Sequence, residues 1–104
     1  MMTPIYKIFR AAEWAVFEKS GHFAGSADDL RDGFIHISTA GQLAETVLRH
    51  FSGEDGLWRA TLDADSLGGE LRWEPSRGGA LFPHLYRPLE WSDVAAATRI
   101  GAQL

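Results

Sequence analysis

Gly33-Phe34-Ile35-His36-Ile37-Ser38-Thr39-Ala40-Gly41-Gln42 combines a glycine break, a short apolar strand with one histidine, and a capped helix start. Strand alternation points Ile35 and Ile37 to one face and Phe34, His36 and Ser38 to the other. The isoleucine face is the core side. Thr39 and Gln42 have capping-box spacing, so a helix begins there. Leu43, Ala44, Val47, Leu48 and Phe51 continue it as an apolar stripe at helical spacing. Arg49 and His50 near its end complement the helix dipole.

Upstream, Ile5 to Phe9 reads as a strand with Ile5, Lys7 and Phe9 on one face and Tyr6 and Ile8 on the other. Ala11 to Lys19 reads as a short helix whose inner side carries Ala11, Trp14, Phe17 and Glu18, ended by Ser20-Gly21. Residues 21–32 form a loop in which Ser26 caps one helical turn carrying Leu30. Downstream, residues 57–62 form a strand with Trp58, Ala60 and Leu62 on one face. Glu70 to Glu74 alternates, with Leu71 and Trp73 opposite Glu70, Arg72 and Glu74, and Pro75 ends it. Residues 76–79 are expected to form a mobile loop. Leu81 to Tyr86 and Val94 to Ile100 supply two further strands. With helices early and strands late, the chain reads as one α+β domain over residues 1–104, with five to six short strands and two to three short helices.

A chain of 104 residues with 45% hydrophobic residues has material for one small core, and four Trp and six Phe make it aromatic-rich. The absence of cysteine excludes disulfides, thiolate metal sites and a cysteine nucleophile. The N-terminus lacks the pattern of a signal peptide and no run is long enough for a membrane span, so a cytoplasmic protein without membrane contact is expected. A net charge of −4 argues against general nucleic-acid binding while leaving room for a local basic pocket. The oligomeric state is not legible.

The chemistry rests on two histidine stretches. His36 and Ser38 share a strand face beside a helix start, and His84 lies in Phe82-Pro83-His84-Leu85-Tyr86, where Pro83 fixes the backbone. The alternative for His36 is a packed strand histidine, and for His84 a surface turn. His22 and His50 read as ordinary surface residues. Glu74 is a candidate general base or ribose ligand, or else a partner for Arg72. Lys7, Arg72, Arg77 and Arg87 near strand ends would form an anion pocket if several converge. Tyr6, Trp73 and Tyr86 could stack on a base or pack as core and rim. His36-Ile37-Ser38 has the His-x-Ser/Thr form used in pairs by two-histidine phosphoesterases, but its second copy would be His84-Leu85-Tyr86, with Tyr at the hydroxyl position. His36, His84 and Glu74 do not follow a known zinc-site spacing, so no metal site is expected.

Ile5-Tyr6-Lys7-Ile8, Glu13-Trp14, Gly33 to His36 with Ser38-Thr39 and Gln42, Leu67-Gly68, Trp73-Glu74-Pro75 and Phe82 to Tyr86 resemble the family catalogued as domain of unknown function 952. The resemblance implies an ADP-ribosyltransferase-like fold, a bent and split β-structure with a cleft between two small sheets. It implies NAD as a cofactor by fold analogy, and no established reaction. His36, His84 and Glu74 would then be catalytic. Lys7, Ser38, Thr39, Arg77 and Tyr86 would bind NAD, ADP-ribose or another phosphate-bearing nucleotide. The competing readings are a non-catalytic interaction module and a phosphoesterase-like histidine hydrolase.

Overall fold

A computed structural model describes residues 1–101. Its frame is set by strand β1 (Pro4–Phe9), because both faces of that strand are covered. Ile5 and Phe9 enter the main core, while Ile8 packs with Leu43 and Leu57 in a smaller cluster on the other side. Helix α1 (Ala11–Ser20) follows and buries Trp14 and Phe17. Ala11 and Glu18, expected on its inner side, are exposed. Gly21 ends α1 in the left-handed conformation, as the Ser20-Gly21 signal indicates.

Strand β2 (His22–Phe23) leads to helix α2 (Ala27–Asp32), capped by Ser26, whose hydroxyl accepts from the Asp29 backbone N–H. The buried residue of this helix is Asp29, whereas Leu30 is 64% exposed. The opening stretch supplies β3 (Ile35–His36), a 3₁₀ turn (Ala40–Gln42) with the Thr39–Gln42 capping box, and helix α3 (Leu43–His50). Within the stripe of α3, Leu43 is buried and Val47 and Phe51 pack partly, while Ala44 and Leu48 stay exposed.

The second half adds β4 (Trp58–Asp63), β5 (Leu71–Pro75), β6 (Leu81–Leu85), β7 (Leu89–Glu90) and β8 (Val94–Arg99). The strands form three small antiparallel sheets, ordered β1-β4-β8, β2-β7 and β3-β6-β5. The architecture is α+β as read. The strand count exceeds five to six because β2 and β7 are two-residue strands. The loop over residues 76–79 holds a 3₁₀ turn (Arg77–Gly79), with Gly79 N–H donating to the Ser76 carbonyl and Ser76 N–H to the Ala80 carbonyl, each at 2.9 Å. Trp73 is 43% exposed, so the Leu71–Trp73 face is only half covered.

A backbone bridge joins the two three-stranded sheets, which also share the main core. Tyr6 and Ser38 exchange backbone hydrogen bonds, each 2.8 Å, which joins β1 to the strand run that pairs with β6. Phe34 to Ser38 is therefore the hinge of the architecture, with Ile35 and Ile37 each 2% exposed on its core side. Phe9 holds the other end of the core, with ring centroids 4.8 Å from Phe23 and 5.3 Å from Phe17. No helix among the described residues is long and apolar enough to cross a membrane.

Gly25 ties the loop before α2 to this frame. Its φ is +134°, and an added Cβ would lie 2.8 Å from the Asp29 Cβ. Gly25→Ala is expected to destabilise the fold by more than about 1 kcal/mol. The check is a lower urea midpoint with an unchanged denaturation slope.

Candidate functional site

A cleft of about 490 Å³ opens beside the Tyr6–Ser38 bridge. Antiparallel pairing places His36 of β3 directly opposite His84 of β6. Their rings lie edge to face, 5.9 Å between centroids, and both line the cleft. The two histidine stretches therefore meet. Phe34 stacks on the His84 ring at 3.9 Å and fixes its plane.

Each histidine is oriented by a carboxylate. Glu74 Oε1 accepts from His84 Nδ1 at 2.8 Å and from the Tyr86 hydroxyl at 2.6 Å. The Tyr86 hydroxyl, and then the His84 ring, hold the Glu74 carboxyl below its ordinary range. The same bond to Glu74 pushes the Tyr86 phenol up. His36 donates from Nδ1 to Asp29 Oδ1 at 2.6 Å, and its Nε2 lies 3.0 Å from Asp32 Oδ2.

Asp29 is the buried anchor of the site, at 2% exposure. It accepts from Lys7 Nζ at 2.9 and 3.2 Å, from the Ser26 backbone N–H at 2.9 Å and from the His36 backbone N–H at 3.0 Å. Burial pushes its carboxyl up, but the His36 bond and the Lys7 charge outweigh that and hold it well below the usual carboxylate range.

The lining as a whole holds more basic than acidic side chains. Five of the ten Lys and Arg residues and three of the four histidines line the cleft, against three of the fourteen acidic residues. Most of these cations are already paired: Lys7 with Asp29, Arg10 with Glu54, Arg31 with Asp28 and Asp32, Arg49 with Glu45. Arg77 has no carboxylate partner among the described residues. Its Nη2 donates to Thr46 Oγ1 at 2.9 Å, its guanidinium lies 4.7 Å from the Phe82 ring centroid, and its Nη1 is buried without a partner. Thr46 Oγ1 is also 2.9 Å from Ser38 Oγ. His50 also lines the cleft, its imidazole pushed down by burial and then by the Arg77 charge.

Of the residues singled out from sequence, Lys7, His36, Ser38, Arg77 and His84 line the cleft. Glu74 and Tyr86 lie outside its lining and reach it through His84. Thr39 caps the turn before α3, its N–H donating to Gln42 Oε1 at 3.0 Å. Arg72 lies over the Tyr86 ring and Arg87 pairs with Asp93, and neither lines the cleft. Trp73 is likewise outside the cleft, whereas Tyr6 lines it. His50, read as an ordinary surface residue, belongs to the cleft. Asp29, Asp32, Thr46 and Arg49 went unnoticed as site residues. For Asp29 a signal exists: Ser26 and Asp29 have capping-box spacing, and such an aspartate is turned back toward the chain.

The family described as protein of unknown function (DUF952) matches over residues 8–97, and the chain belongs to that family. The chain is similar to the protein CC0527 of Caulobacter crescentus. Its X-ray crystal structure is 48% identical, with a TM-score of 0.92 over 95% of this chain and 87% of that one. Its solution NMR structure is 48% identical, with a TM-score of 0.84 over 97% of this chain and 89% of that one. No curated protein matches the chain.

The depressed Asp29 carboxyl has a direct consequence for stability. Its contribution is fully present above the ordinary value of 3.8 and is lost as pH falls through the lower folded value. Asp29→Asn leaves Lys7 buried without its counter-charge, so a loss of about 3–5 kcal/mol at neutral pH is expected. The variant also loses stability less steeply below pH about 4 than the unaltered chain. Urea unfolding at neutral and acid pH measures both effects.

Proposed function

We propose that the cleft binds a phosphate-bearing nucleotide of the NAD or ADP-ribose kind and performs acid–base chemistry on it, as transfer or hydrolysis at the ADP-ribose linkage or a phosphate. Arg77 carries this reading. Its guanidinium lines the cleft with no carboxylate partner among the described residues and is held in place by Thr46 and Phe82, so its charge is available to an anion. Ser38 offers a second donor one hydroxyl away. Tyr6 and Phe51 in the cleft lining provide apolar surface for a base or ribose.

The ADP-ribosyltransferase-like fold is part of the same proposal. Two small sheets joined at a single bridge, with the cleft beside that joint, support it. The chemistry is assigned to enzyme action because two carboxylate-oriented histidines face each other at 5.9 Å, which a surface for protein contacts does not require. The phosphoesterase-like alternative has less support: the Tyr86 hydroxyl is bonded to Glu74 outside the cleft lining, so the His84-Leu85-Tyr86 run brings no second hydroxyl to it.

Titration with NAD, ADP-ribose and simple nucleotides, followed by calorimetry and by the histidine NMR resonances, tests the assignment. At least one of these ligands is expected to bind and to shift both His36 and His84. Arg77→Ala is expected to weaken that binding by about tenfold or more, the worth of a charge-assisted hydrogen bond. An absence of binding and of histidine shifts with every ligand refutes the reading.

A further inference from the structure

The two histidines of the cleft are not equivalent. His36 meets a carboxylate on each nitrogen, Asp29 on Nδ1 and Asp32 near Nε2. His84 meets one only, Glu74 on Nδ1. Its Nε2 has no protein partner among the described residues and is not among the buried polar atoms sealed from solvent. His84 lines the cleft while its Nδ1 is turned to Glu74, outside the lining, so Nε2 is the ring nitrogen left on the cleft side.

A carboxylate accepts hydrogen bonds, so the proton of a neutral His84 ring sits on Nδ1 and the Nε2 lone pair faces the cleft. Glu74 is held to this task from its other side. The Tyr86 hydroxyl bonds the same oxygen, Oε1, at 2.6 Å, and Phe34 covers the imidazole face. Glu74 lies outside the lining of the cleft and reaches it through His84.

We propose that His84 is the general base of the cleft, that its Nε2 takes the proton of a hydroxyl, either water or a ribose hydroxyl, and that Glu74 is the residue that positions it. The assignment rests on the nucleotide-binding reading for its ligand class. In the step, the hydroxyl oxygen forms a new bond to the electrophilic carbon or phosphorus. The bond to the leaving group breaks, and the electron pair departs with that group. The hydroxyl proton moves to Nε2, and the imidazolium so formed keeps its Nδ1–H on the Glu74 carboxylate. Release of that proton to the leaving group or to water restores the base. His36, with a carboxylate beside each nitrogen, presents no such unpartnered nitrogen and lines the cleft as a polar side chain.

The test uses the free protein, so it is read independently of whether any nucleotide binds. Long-range ¹H–¹⁵N correlation of the imidazoles at mildly alkaline pH reports which nitrogen carries the proton. The unaltered chain is expected to show the Nδ1–H tautomer at His84, with loss of that signature in Glu74→Ala and its return in Glu74→Gln, where an acceptor oxygen remains. Tyr86→Phe should keep the tautomer. Diethyl pyrocarbonate, which attacks an unprotonated ring nitrogen, should modify His84 ahead of His36 when sites are mapped by mass spectrometry. An Nε2–H tautomer at His84 in the unaltered chain overturns the proposal, as does preferential modification of His36. A tautomer unchanged in Glu74→Ala removes Glu74 from its role. If Glu74→Ala does not fold, the spectrum and modification pattern of the unaltered chain decide. Should the tautomer hold while no nucleotide binds, the ligand class fails and the assignment of His84 as base stands.

Discussion

The structure depends on one buried carboxylate. Asp29 lies in α2, Lys7 in β1 and His36 in β3, and the Asp29 side chain is bonded to all three elements at once. A lone carboxylate at this depth would cost several kcal/mol. Here a cation and backbone and ring N–H groups occupy its lone pairs, so the charge is kept and the geometry is fixed. This changes what Lys7 does. Its ammonium lines the cleft and is paired with Asp29 at 2.9 Å, so it neutralises the anchor.

The hinge stretch then divides its labour by strand parity. Ile35 and Ile37 hold the core, and on the opposite face His36 and Ser38 are carried to the cleft without any freedom of their own. The backbone exchange between Ser38 and Tyr6 fixes the same run against the first sheet. A site placed in this way sits on rigid strands at the joint of two sheets, where side chains of both sheets converge. That explains how so small a core supports a defined cleft.

Long periodic segments were legible in the sequence, and short ones were not. β1, α1, β4 and the stripe from Leu43 to Phe51 follow from alternation or helical spacing, and the caps at Ser26 and Thr39 from their side chains. The strands His22–Phe23 and Leu89–Glu90 are too short for any alternation to register, and they exist because each completes the other. The meeting of His36 and His84 is a fact of strand register between residues far apart in sequence, which no local pattern contains. Asp29 was hidden for a different reason. In a run of two aspartates after a capping serine, charge near a helix start reads as dipole compensation, and only the fold shows that one of the two turns inward. Leu30 was the natural inward candidate by hydrophobicity. The buried ion pair with Lys7 overrides that preference.

The chain carries a net charge of −4, yet the cleft lining holds more basic than acidic side chains. The basic residues of the lining are mostly spent on neighbouring carboxylates, which keeps the lining from repelling itself and fixes each side chain in place. What remains unspent is Arg77, anchored on a hydroxyl and an aromatic face. At physiological ionic strength, charges more than about 8 Å away are largely screened, while a contact ion pair is not. The −4 of the whole molecule therefore bears little on the local field at Arg77. On the proposed reading Arg77 supplies attraction and His84, with its Nδ1 on Glu74, supplies the lone pair, so binding and proton transfer fall to different residues.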